Sequence, residues 1–414
     1  MAVLDLVELY YASADLPAPF APAWVPGSCR VKTGFYLIRI ATDDGVEGWS
    51  AFSASGKERA GIGDGIADAF LGTDPCDIAL VHERIKILAN GGLRHWWIEP
   101  AFWDIKAKLA GVPLYRLLGG THDKLHLYAS SGELRGIEAR REEAEARFAE
   151  GFDTMKMRVH DWDEAVDIAQ IQDLAEHMRG RMHIAVDCNQ AFRMTLHGGA
   201  PQWDLPRAKR FVDAAADAGL LWVEEPLYME WYDEMAELAA YSRVPVAGGE
   251  LHTSGFPELN HMVERRCYDI FQPDAMWSGG VLQTLQVAQA CRARKVGFSP
   301  HSWGNGLGFL VNAHVMAACG FAEDYPFEFP YSPPGWTLEA RDALLMEPST
   351  HDKGWFHMPQ QPGLGIQIDR QALGRQGVCF FRASRASRHW LPEVLQSQAT
   401  RREVTHQTAS GAAR

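Results

Sequence analysis

The stretch HIAVDCNQ, residues 183–190, holds a short apolar run that ends on Asp187. Two stretches downstream repeat this arrangement: the run in LLWVEEP, residues 220–226, ends on Glu224, and VPVAGGE, residues 244–250, ends on Glu250. Short apolar runs separated by polar segments are typical of buried parallel strands. The three stretches therefore predict successive strands whose carboxyl ends each carry an acidic side chain.

The same rhythm of short strands and helices extends from residue 126 to about residue 330. Eight strands are predicted, at residues 125–129, 154–159, 183–187, 220–224, 244–250, 268–273, 296–300 and 327–329. Helices are predicted between most of them, for example at 138–149 and at 208–218, where Asp204 and Pro206 give a start signal. This alternation predicts an α/β fold with a TIM-type barrel. A doubly wound open sheet is the alternative, but the chain has neither a GxGxxG after a strand nor a P-loop.

The segments on either side of the barrel predict a second, α+β domain. Residues 35–40 and 46–49 flank a turn and predict a hairpin, and residues 98–109 predict a helix. Residues 13–29 are rich in Pro and Ala without an apolar period, so we expect a long loop there.

Four regions follow from these patterns. Residues 1–125 are predicted to form an N-terminal capping domain, and residues 126–330 the catalytic barrel. Residues 331–381 are predicted to return to the cap, with a late strand at 365–368. Residues 382–414 have little apolar pattern and predict a flexible tail.

Composition limits the classes of protein to which the chain can belong. Its 414 residues exceed one ordinary core, while 47% hydrophobic and 22% charged residues are typical of globular proteins. A net charge of −13 argues against a nucleic-acid partner. No apolar run approaches the ~20 residues of a membrane span. Residues 1–10 do not resemble a signal peptide, and seven cysteines without a CxxC predict reduced thiols, so we expect a cytoplasmic protein.

The three strand-end carboxylates predict a metal site. In a barrel the carboxyl ends of the strands meet on one face, and three anions in one pocket need a cation. Oxygen ligands suit Mg²⁺. Neighbouring strand residues point to opposite sides, so only one of Glu224 and Glu225 can be a ligand, and we assign Glu224 with Asp187 and Glu250. One such carboxylate alone is more often a helix cap or a surface charge.

Other strand ends carry residues suited to acid–base chemistry. Lys156 and Arg158, in KMR, share one face of the second strand, and two cations there indicate an anionic ligand rather than a solvated edge. Asp274 and His301 follow the sixth and seventh strands, and an aspartate beside a histidine orients a general base. The eighth strand supplies Glu328.

Taken together, these motifs resemble the mandelate racemase branch of the enolase superfamily. The resemblance is carried by the order and spacing of PAFWDIKAKLAGVPLYRLLGG (100–120), KMR (156–158), VDCNQ (186–190), WVEEP (222–226), GGE (248–250), QPDAMWSGGV (272–281) and PHSWGNGLG (300–308). It implies a modified (β/α)7β barrel under a cap built from the N- and C-terminal segments. Residues 13–29 match the mobile capping loop that closes over substrate.

The resemblance also implies roles for the site residues. Asp187, Glu224 and Glu250 match the ligands of one Mg²⁺ per subunit, and Asp274 with His301 matches the family's dyad. Glu328 matches the strand-eight acid that can hydrogen-bond a substrate carboxylate oxygen. Apart from the resemblance, Asn189, His252 and Trp303 lie near the strand ends and suit contacts with a polyhydroxy substrate. The implied chemistry is abstraction of an α-proton beside a carboxylate, with the enediolate stabilised by Mg²⁺.

One residue departs from the family pattern. Racemases of this branch usually carry KxK on strand two, whereas this chain has Arg158, and arginine is a very poor base because its pKa exceeds ~12. Racemisation is therefore disfavoured, and Lys156 is expected to bind the substrate carboxylate or to act as a second base. Arg158 could also pair with the second carboxylate of an aldarate.

Dehydration of an acid sugar, either an aldonate or an aldarate, to a 2-keto-3-deoxy acid is the function that we predict. A racemase, epimerase or cycloisomerase acting on a carboxylate is the alternative. A non-catalytic scaffold would not need these carboxylates and the dyad, and a hydrolase with a bridged metal pair would lean on histidine ligands. A homo-oligomer is expected by analogy.

Overall fold

The N-terminal part of the chain is an antiparallel sheet packed against helices. The computed structural model describes residues 2–53, 62–90, 95–192, 199–386 and 388–390. The first elements are β1 (Leu4–Phe20), β2 (Arg30–Thr42), β3 (Glu47–Ser53), α1 (Ile62–Phe70), α2 (Ile78–Asn90), α3 (Glu99–Leu109) and α4 (Leu114–Leu117). β2 and β3 pair antiparallel, so the predicted hairpin is confirmed with longer strands, as is the helix predicted at 98–109.

The long loop predicted at residues 13–29 is wrong for its first half. β1 continues to Phe20, and Ser13, Ala14 and Asp15 pair with β2. The side chains alternate as in any strand, with Ala12, Ala14 and Phe20 buried and residues 15, 17 and 19 exposed. The alternation is hard to recognise in the sequence because the buried residues Ala12 and Ala14 are small. Pro17 and Pro19 lie between Asp15 and Phe20, where the pairing of β1 with β2 is irregular. Only residues 21–29 connect β1 to β2.

A parallel sheet with flanking helices forms the middle of the chain. Its elements are β4 (Lys124–Ser130), α5 (Ile137–Ala149), β5 (Thr154–Arg158), α6 (Glu164–His177), β6 (His183–Asp187), α7 (Leu205–Ala218), β7 (Val223–Glu224), α8 (Tyr232–Tyr241), β8 (Val246–Gly248), α9 (Phe256–Arg265), β9 (Ile270–Phe271), α10 (Gly280–Arg294), β10 (Gly297–Phe298), α11 (Gly306–Cys319) and β11 (Phe327–Pro330). All eight predicted strands are confirmed, several of them shorter than predicted. The Asp204 start signal is confirmed as the N-cap of α7.

The strand order places the carboxyl ends of the strands on one face. The order is β10-β9-β8-β7-β6-β5-β4-β11, and each neighbouring pair is parallel. The residues that follow the strands therefore lie side by side around the barrel rim. No helix among the described residues is long and apolar enough to span a bilayer.

The last part of the chain returns to the N-terminal sheet. Its elements are α12 (Leu338–Arg341), β12 (Trp355–His357), α13 (Arg370–Gln376), β13 (Gly377–Ser384) and β14 (Arg388–Trp390). β12 pairs with β4, whereas β13 pairs antiparallel with β1 and β14 extends the sheet. The predicted flexible tail is therefore wrong for residues 382–384 and 388–390, which belong to β13 and β14. Residues 391–414 of that predicted tail lie outside the described residues.

The late strand predicted at residues 365–368 is wrong. Only Ile368 makes an isolated bridge, to Leu345, and the returning strand is β13. The chain here turns through Gly363 and Gly365, both with positive φ, which breaks an extended run. Leu364 instead donates its N–H to Oδ1 of buried Asp104 at 2.8 Å, so a side chain of α3 takes the place of a strand partner.

Candidate active site

Asp187 and Glu224 end β6 and β7 and point into the barrel, where both are fully buried. An oxygen of Asp187 pairs with Arg158 Nη1, and Glu224 Oε1 lies 2.5 Å from Lys156 Nζ. The other oxygen of Glu224 accepts hydrogen bonds from Trp222 Nε1 at 3.1 Å and from Gln272 Nε2 at 3.0 Å. The predicted cations on β5 thus face the predicted metal ligands directly.

His301 bridges two carboxylates that come from neighbouring strand ends. Its Nδ1 lies 2.9 Å from Asp274 Oδ2, and its Nε2 lies 2.9 Å from Glu250 Oε2. Burial opposes a charge on the ring, but Glu250, Glu328 and Asp274 outweigh it and raise the pKa of His301 well above its usual range. The Asp274–His301 pair therefore has the geometry that fixes an imidazole for proton transfer at Nε2.

Glu328 lies at the centre of a third set of hydrogen bonds. Its Oε1 accepts from Ser130 Oγ at 2.8 Å and lies 2.9 Å from Lys156 Nζ, while its Oε2 accepts the backbone N–H of Ser302 at 2.7 Å. Burial would raise its pKa, but Lys156 and His301 outweigh that effect and lower the pKa well below its usual range. Glu328 is therefore an anion that anchors Lys156.

The ammonium of Lys156 is held by these carboxylates. Besides Glu224 and Glu328, it lies 3.9 Å from Asp187. Burial lowers the pKa of Lys156, but Glu224 and Glu328 reverse this and raise it above the usual value. The side chain is therefore a fixed positive charge at the centre of the site, suited to an anionic substrate.

Arg158 is enclosed between a carboxylate and two tryptophans. Its Nε donates to the carbonyl of Ser131 at 2.8 Å, and its Nη1 also reaches Asn189 Oδ1 at 3.2 Å. The guanidinium carbon lies 5.1 Å from the centre of the Trp24 ring and 5.8 Å from that of Trp303, within cation–π range. Asn189 also donates to Asp187, so its described contacts are with the Arg158–Asp187 pair.

Residues 21–29 form a roof over this site. Trp24 packs edge-on against Trp303 with ring centres 4.9 Å apart, and Phe20 and Trp336 extend the aromatic layer. The backbone of Ala23 is held on both sides: its N–H donates to Gly132 O, and its carbonyl oxygen lies 2.8 Å from His160 Nε2. These contacts exclude water from the carboxylate cluster.

Among the predicted site residues, His252 differs from the others because its described side-chain hydrogen bond is with a residue outside the carboxylate cluster. Its Nδ1 lies 2.8 Å from Glu258 Oε1 at the start of α9, and Tyr232 Oη donates to the same oxygen. Its buried Nε2 has no hydrogen-bond partner. The other predicted residues, Lys156, Arg158, Asp187, Asn189, Glu224, Glu250, Asp274, His301, Trp303 and Glu328, are linked by the contacts above.

Several residues that organise the site were missed by the sequence reasoning. Trp222 and Gln272 both hold Glu224, and Trp222 lies two residues before it on the same strand face, which alternation alone could have indicated. Ser130 is the last residue of β4, the first barrel strand, and it hydrogen-bonds both Glu328 and Trp303 Nε1. Asn312, on α11, contacts Asp274, and no local sequence signal marks it.

The charge of the site fits a divalent cation. Two permanent cations, Lys156 and Arg158, lie among six carboxylates, which belong to Asp187, Glu224, Glu225, Glu250, Asp274 and Glu328. One oxygen of Glu225, Oε2, is buried without a hydrogen-bond partner. Burial and then the charges of Glu250, Asp187 and Glu224 raise the pKa of Glu225 well above its usual range. Among the residues that the structure describes, no three acidic, His or Cys side chains converge as ready metal ligands, and Asp187 and Glu224 instead face Arg158 and Lys156. The carboxylate oxygens are nevertheless the type of donor that Mg²⁺ prefers, and the carboxylates outnumber the two cations.

Comparison with known proteins agrees with this fold. Residues 12–119 match the sequence profile of the mandelate racemase / muconate lactonizing enzyme N-terminal domain, and residues 139–372 match the enolase C-terminal domain-like profile. The chain is 28% identical over 390 residues to D-galactarolactone cycloisomerase from Agrobacterium fabrum, covering 89% of this chain and 97% of that protein. It is 30% identical over 397 residues to L-talarate/galactarate dehydratase from Salmonella typhimurium, covering 89% and 90%.

A solved structure extends the likeness to the whole architecture. L-talarate dehydratase from Polaromonas sp. JS666, in complex with Mg and L-glucarate, superposes with a TM-score of 0.75 at 26% identity, covering 93% of this chain and 100% of that one. Both halves of the fold are matched, the N-terminal cap as well as the barrel. The chain therefore belongs to the mandelate racemase branch of the enolase superfamily.

Proposed function

We propose that this protein dehydrates an acid sugar, an aldonate or an aldarate, to a 2-keto-3-deoxy acid. The observation that carries the proposal is the asymmetry of the site. The Asp274–His301 pair is arranged as a proton carrier, whereas the corresponding position on β5 is Arg158, fixed by Asp187 and two tryptophans. Elimination of water needs one base at C2, while racemisation needs proton carriers on both faces of that carbon.

Each residue has a defined part in this proposal. His301 Nε2 takes the C2 proton and then gives a proton to the departing hydroxyl at C3, so that water leaves and the C2–C3 double bond forms. The resulting enol takes up a proton at C3 and becomes the 2-keto-3-deoxy acid. Lys156 binds the substrate carboxylate, and Glu328 holds Lys156 in place. Trp24 and Trp303 shield the site from water. Arg158 keeps its charge throughout and stays paired with Asp187.

Asp187, Glu224 and Glu250 would hold one Mg²⁺ per subunit. The bound ion supplies electrostatic stabilisation of the negative charge that develops on the substrate carboxylate. The related dehydratase from Polaromonas sp. JS666 was solved with Mg and an acid sugar, which supports both the metal and the substrate class.

Cycloisomerisation of a sugar lactone is the second candidate. It is favoured by the likeness to D-galactarolactone cycloisomerase over almost the full length of that protein. It would use the same single base, since the leaving group at C3 is then a ring oxygen in place of a hydroxyl.

The test is to incubate the protein and Mg²⁺ with a panel of aldonic acids, aldaric acids and their lactones in D₂O. Formation of a 2-keto acid, followed with a carbonyl reagent, is expected for at least one acid. His301→Asn should reduce this rate by roughly 10²–10⁴-fold. His261→Asn, a change at an exposed position of α9, is the matched control and should keep full activity.

The other outcomes separate the alternatives. Formation of a 2-keto acid from a lactone but from none of the free acids would replace the dehydratase with the cycloisomerase. Exchange of deuterium at C2 of both epimers without loss of water would indicate an epimerase and overturn the proposal. Activity that survives His301→Asn would reject the assignment of the base.

A further inference from the structure

Asn312 is a buried amide on the second turn of α11, behind the Asp274–His301 pair. Its Nδ2 donates to Asp274 Oδ1 at 2.7 Å and to the carbonyl of Gly308 at 3.2 Å, and its Oδ1 accepts the N–H of Ala275 at 2.9 Å. Every hydrogen-bonding partner can play only one role, since a backbone N–H only donates and a carbonyl only accepts. The orientation of the amide is therefore fixed by chemistry.

The amide decides which oxygen of Asp274 reaches the histidine. Asp274 Oδ1 is occupied by Asn312 and by the N–H of Met276 at 2.8 Å. Only Oδ2 is left for His301 Nδ1, at 2.9 Å. Because Asn312 also holds Ala275, the next residue along the chain, it fixes both the backbone and the carboxylate of the loop after β9.

We propose that Asn312 is a positioning residue for proton transfer: it holds Asp274 so that His301 keeps its hydrogen on Nδ1 and presents Nε2 to the substrate. The inference rests on the proposed function for its kinetic consequence, but its structural content stands without it. Without the amide, only the N–H of Met276 holds Oδ1 of the carboxylate, so the carboxylate can turn more readily about its Cβ–Cγ bond and the imidazole is oriented less firmly. Small misplacements of a reacting group are costly, on the order of 10²-fold in rate.

The test uses Asn312→Asp, which keeps the shape of the side chain but turns the donor to Asp274 into an oxygen. The matched control is Gln283→Glu, the same amide-to-acid change at a buried position of α10 whose oxygen accepts the N–H of Phe256. Asn312→Ser is a second variant, in case the new carboxylate prevents folding. Its hydroxyl is too short to reach Asp274 but leaves the site uncharged.

Two readouts are measured on the full-length protein. The first needs no substrate: in ¹⁵N-histidine-labelled protein, the Nδ1–H resonance of His301, assigned by its loss in His301→Asn, reports the bond to Asp274. We expect it to shift or to vanish through solvent exchange in both Asn312 variants and to stay unchanged in Gln283→Glu. The second is kinetic: kcat should fall roughly 10²-fold with KM nearly unchanged.

The outcomes distinguish this inference from the proposed function. An unaltered resonance and kcat in the Asn312 variants, or no such resonance in the wild type, would overturn the positioning role. An equal loss in Gln283→Glu would do the same, since the effect would then be general destabilisation. If the resonance responds as expected but no acid is turned over, the proposed function fails and the positioning role stands.

Discussion

The carboxylate of Glu99, at the start of α3, accepts the N–H of Val281 at 2.5 Å, in the first turn of α10. Its other oxygen lies 3.4 Å from the N–H of Leu282. Helix starts carry unpaired N–H groups and a partial positive charge. Gly280 makes room, since a Cβ there would lie 2.3 Å from the Glu99 carboxylate. One buried anion therefore joins the cap to the barrel helix that follows Asp274.

This joint can be tested with Glu99→Gln, which keeps the size of the side chain and removes its charge. Loss of the interaction with the helix start should lower the free energy of unfolding by about 1–2 kcal/mol, measured by urea denaturation, and leave kcat unchanged. Glu164→Gln is the control: its pair with Arg210 is on the surface, and such pairs contribute only ~0–1 kcal/mol. Equal losses in the two variants would contradict the proposed joint.

The hydrogen bond between His160 and Ala23 predicts a second effect, on the roof over the site. His160→Phe removes the partner of the Ala23 carbonyl, so the segment should open more often. We expect amide exchange in residues 20–30 to speed up roughly fivefold, the equivalent of about 1 kcal/mol, in hydrogen-exchange mass spectrometry. His177→Phe, at a helix end paired with Glu145, should leave that peptide unchanged. Unaltered exchange in His160→Phe would show that the hydrogen bond to His160 is not needed to hold the roof closed.

His314 predicts acid sensitivity of the fold. Its Nδ1 accepts the N–H of Tyr115 at 3.0 Å and its Nε2 lies 3.2 Å from the carbonyl of Leu364, while burial lowers its pKa to about 4. The unfolded chain, with a histidine pKa of ~6.5, binds the proton more readily, so stability falls as pH drops from 6.5 towards 4. The loss should reach roughly 3 kcal/mol over that window.

Urea unfolding of the wild type and of His314→Gln at pH 7, 6 and 5 checks this prediction. The variant should be less stable at pH 7 and should lose less stability on acidification, because glutamine does not titrate. His261→Gln, at an exposed site, should follow the wild type. Parallel pH dependence of the wild type and His314→Gln would refute the assignment.

Lys156 predicts a link between metal and stability. The ammonium is the nearest cation to Glu224 and Glu328, so Lys156→Gln leaves buried carboxylates uncompensated. After chelation the variant should lose about 3–5 kcal/mol of stability, and added Mg²⁺ should restore more stability than it does for the wild type, in thermal unfolding. Lys209→Gln, in a surface pair with Glu237, is the control. The same response to Mg²⁺ in both variants would argue against a metal at these carboxylates.

The strands and the rim residues could be predicted because their signals are local. An apolar run that ends on an acidic residue predicts both a strand and the end of the strand that carries the acid. Both predictions are confirmed for Asp187 and Glu224, which are the last residues of β6 and β7. The family motifs added the order of the strands around the barrel. The cap was predicted less well, because the alternation in β1 is carried by alanines.

What the sequence did not reveal depends on contacts between distant residues. Asn312 and Asp274 are 38 residues apart, and Ser130 and Glu328 are 198 residues apart. An asparagine inside a helix is ordinary, and only the packing of α11 behind the strand ends gives it a role. Likewise, Leu364 is held by Asp104, which lies 260 residues earlier in the chain, and no local pattern around residues 365–368 reveals this contact.

The antiparallel pairing of β13 with β1 has a consequence for the order of folding. β1 has β2 on one side and β13 on the other, and the ribosome makes β13 only after every strand of the barrel. Until then, one edge of β1 carries unpaired N–H and C=O groups, which can pair with another chain. During synthesis the nascent cap is thus open to misassociation, and β13 closes that edge only after the whole barrel has emerged.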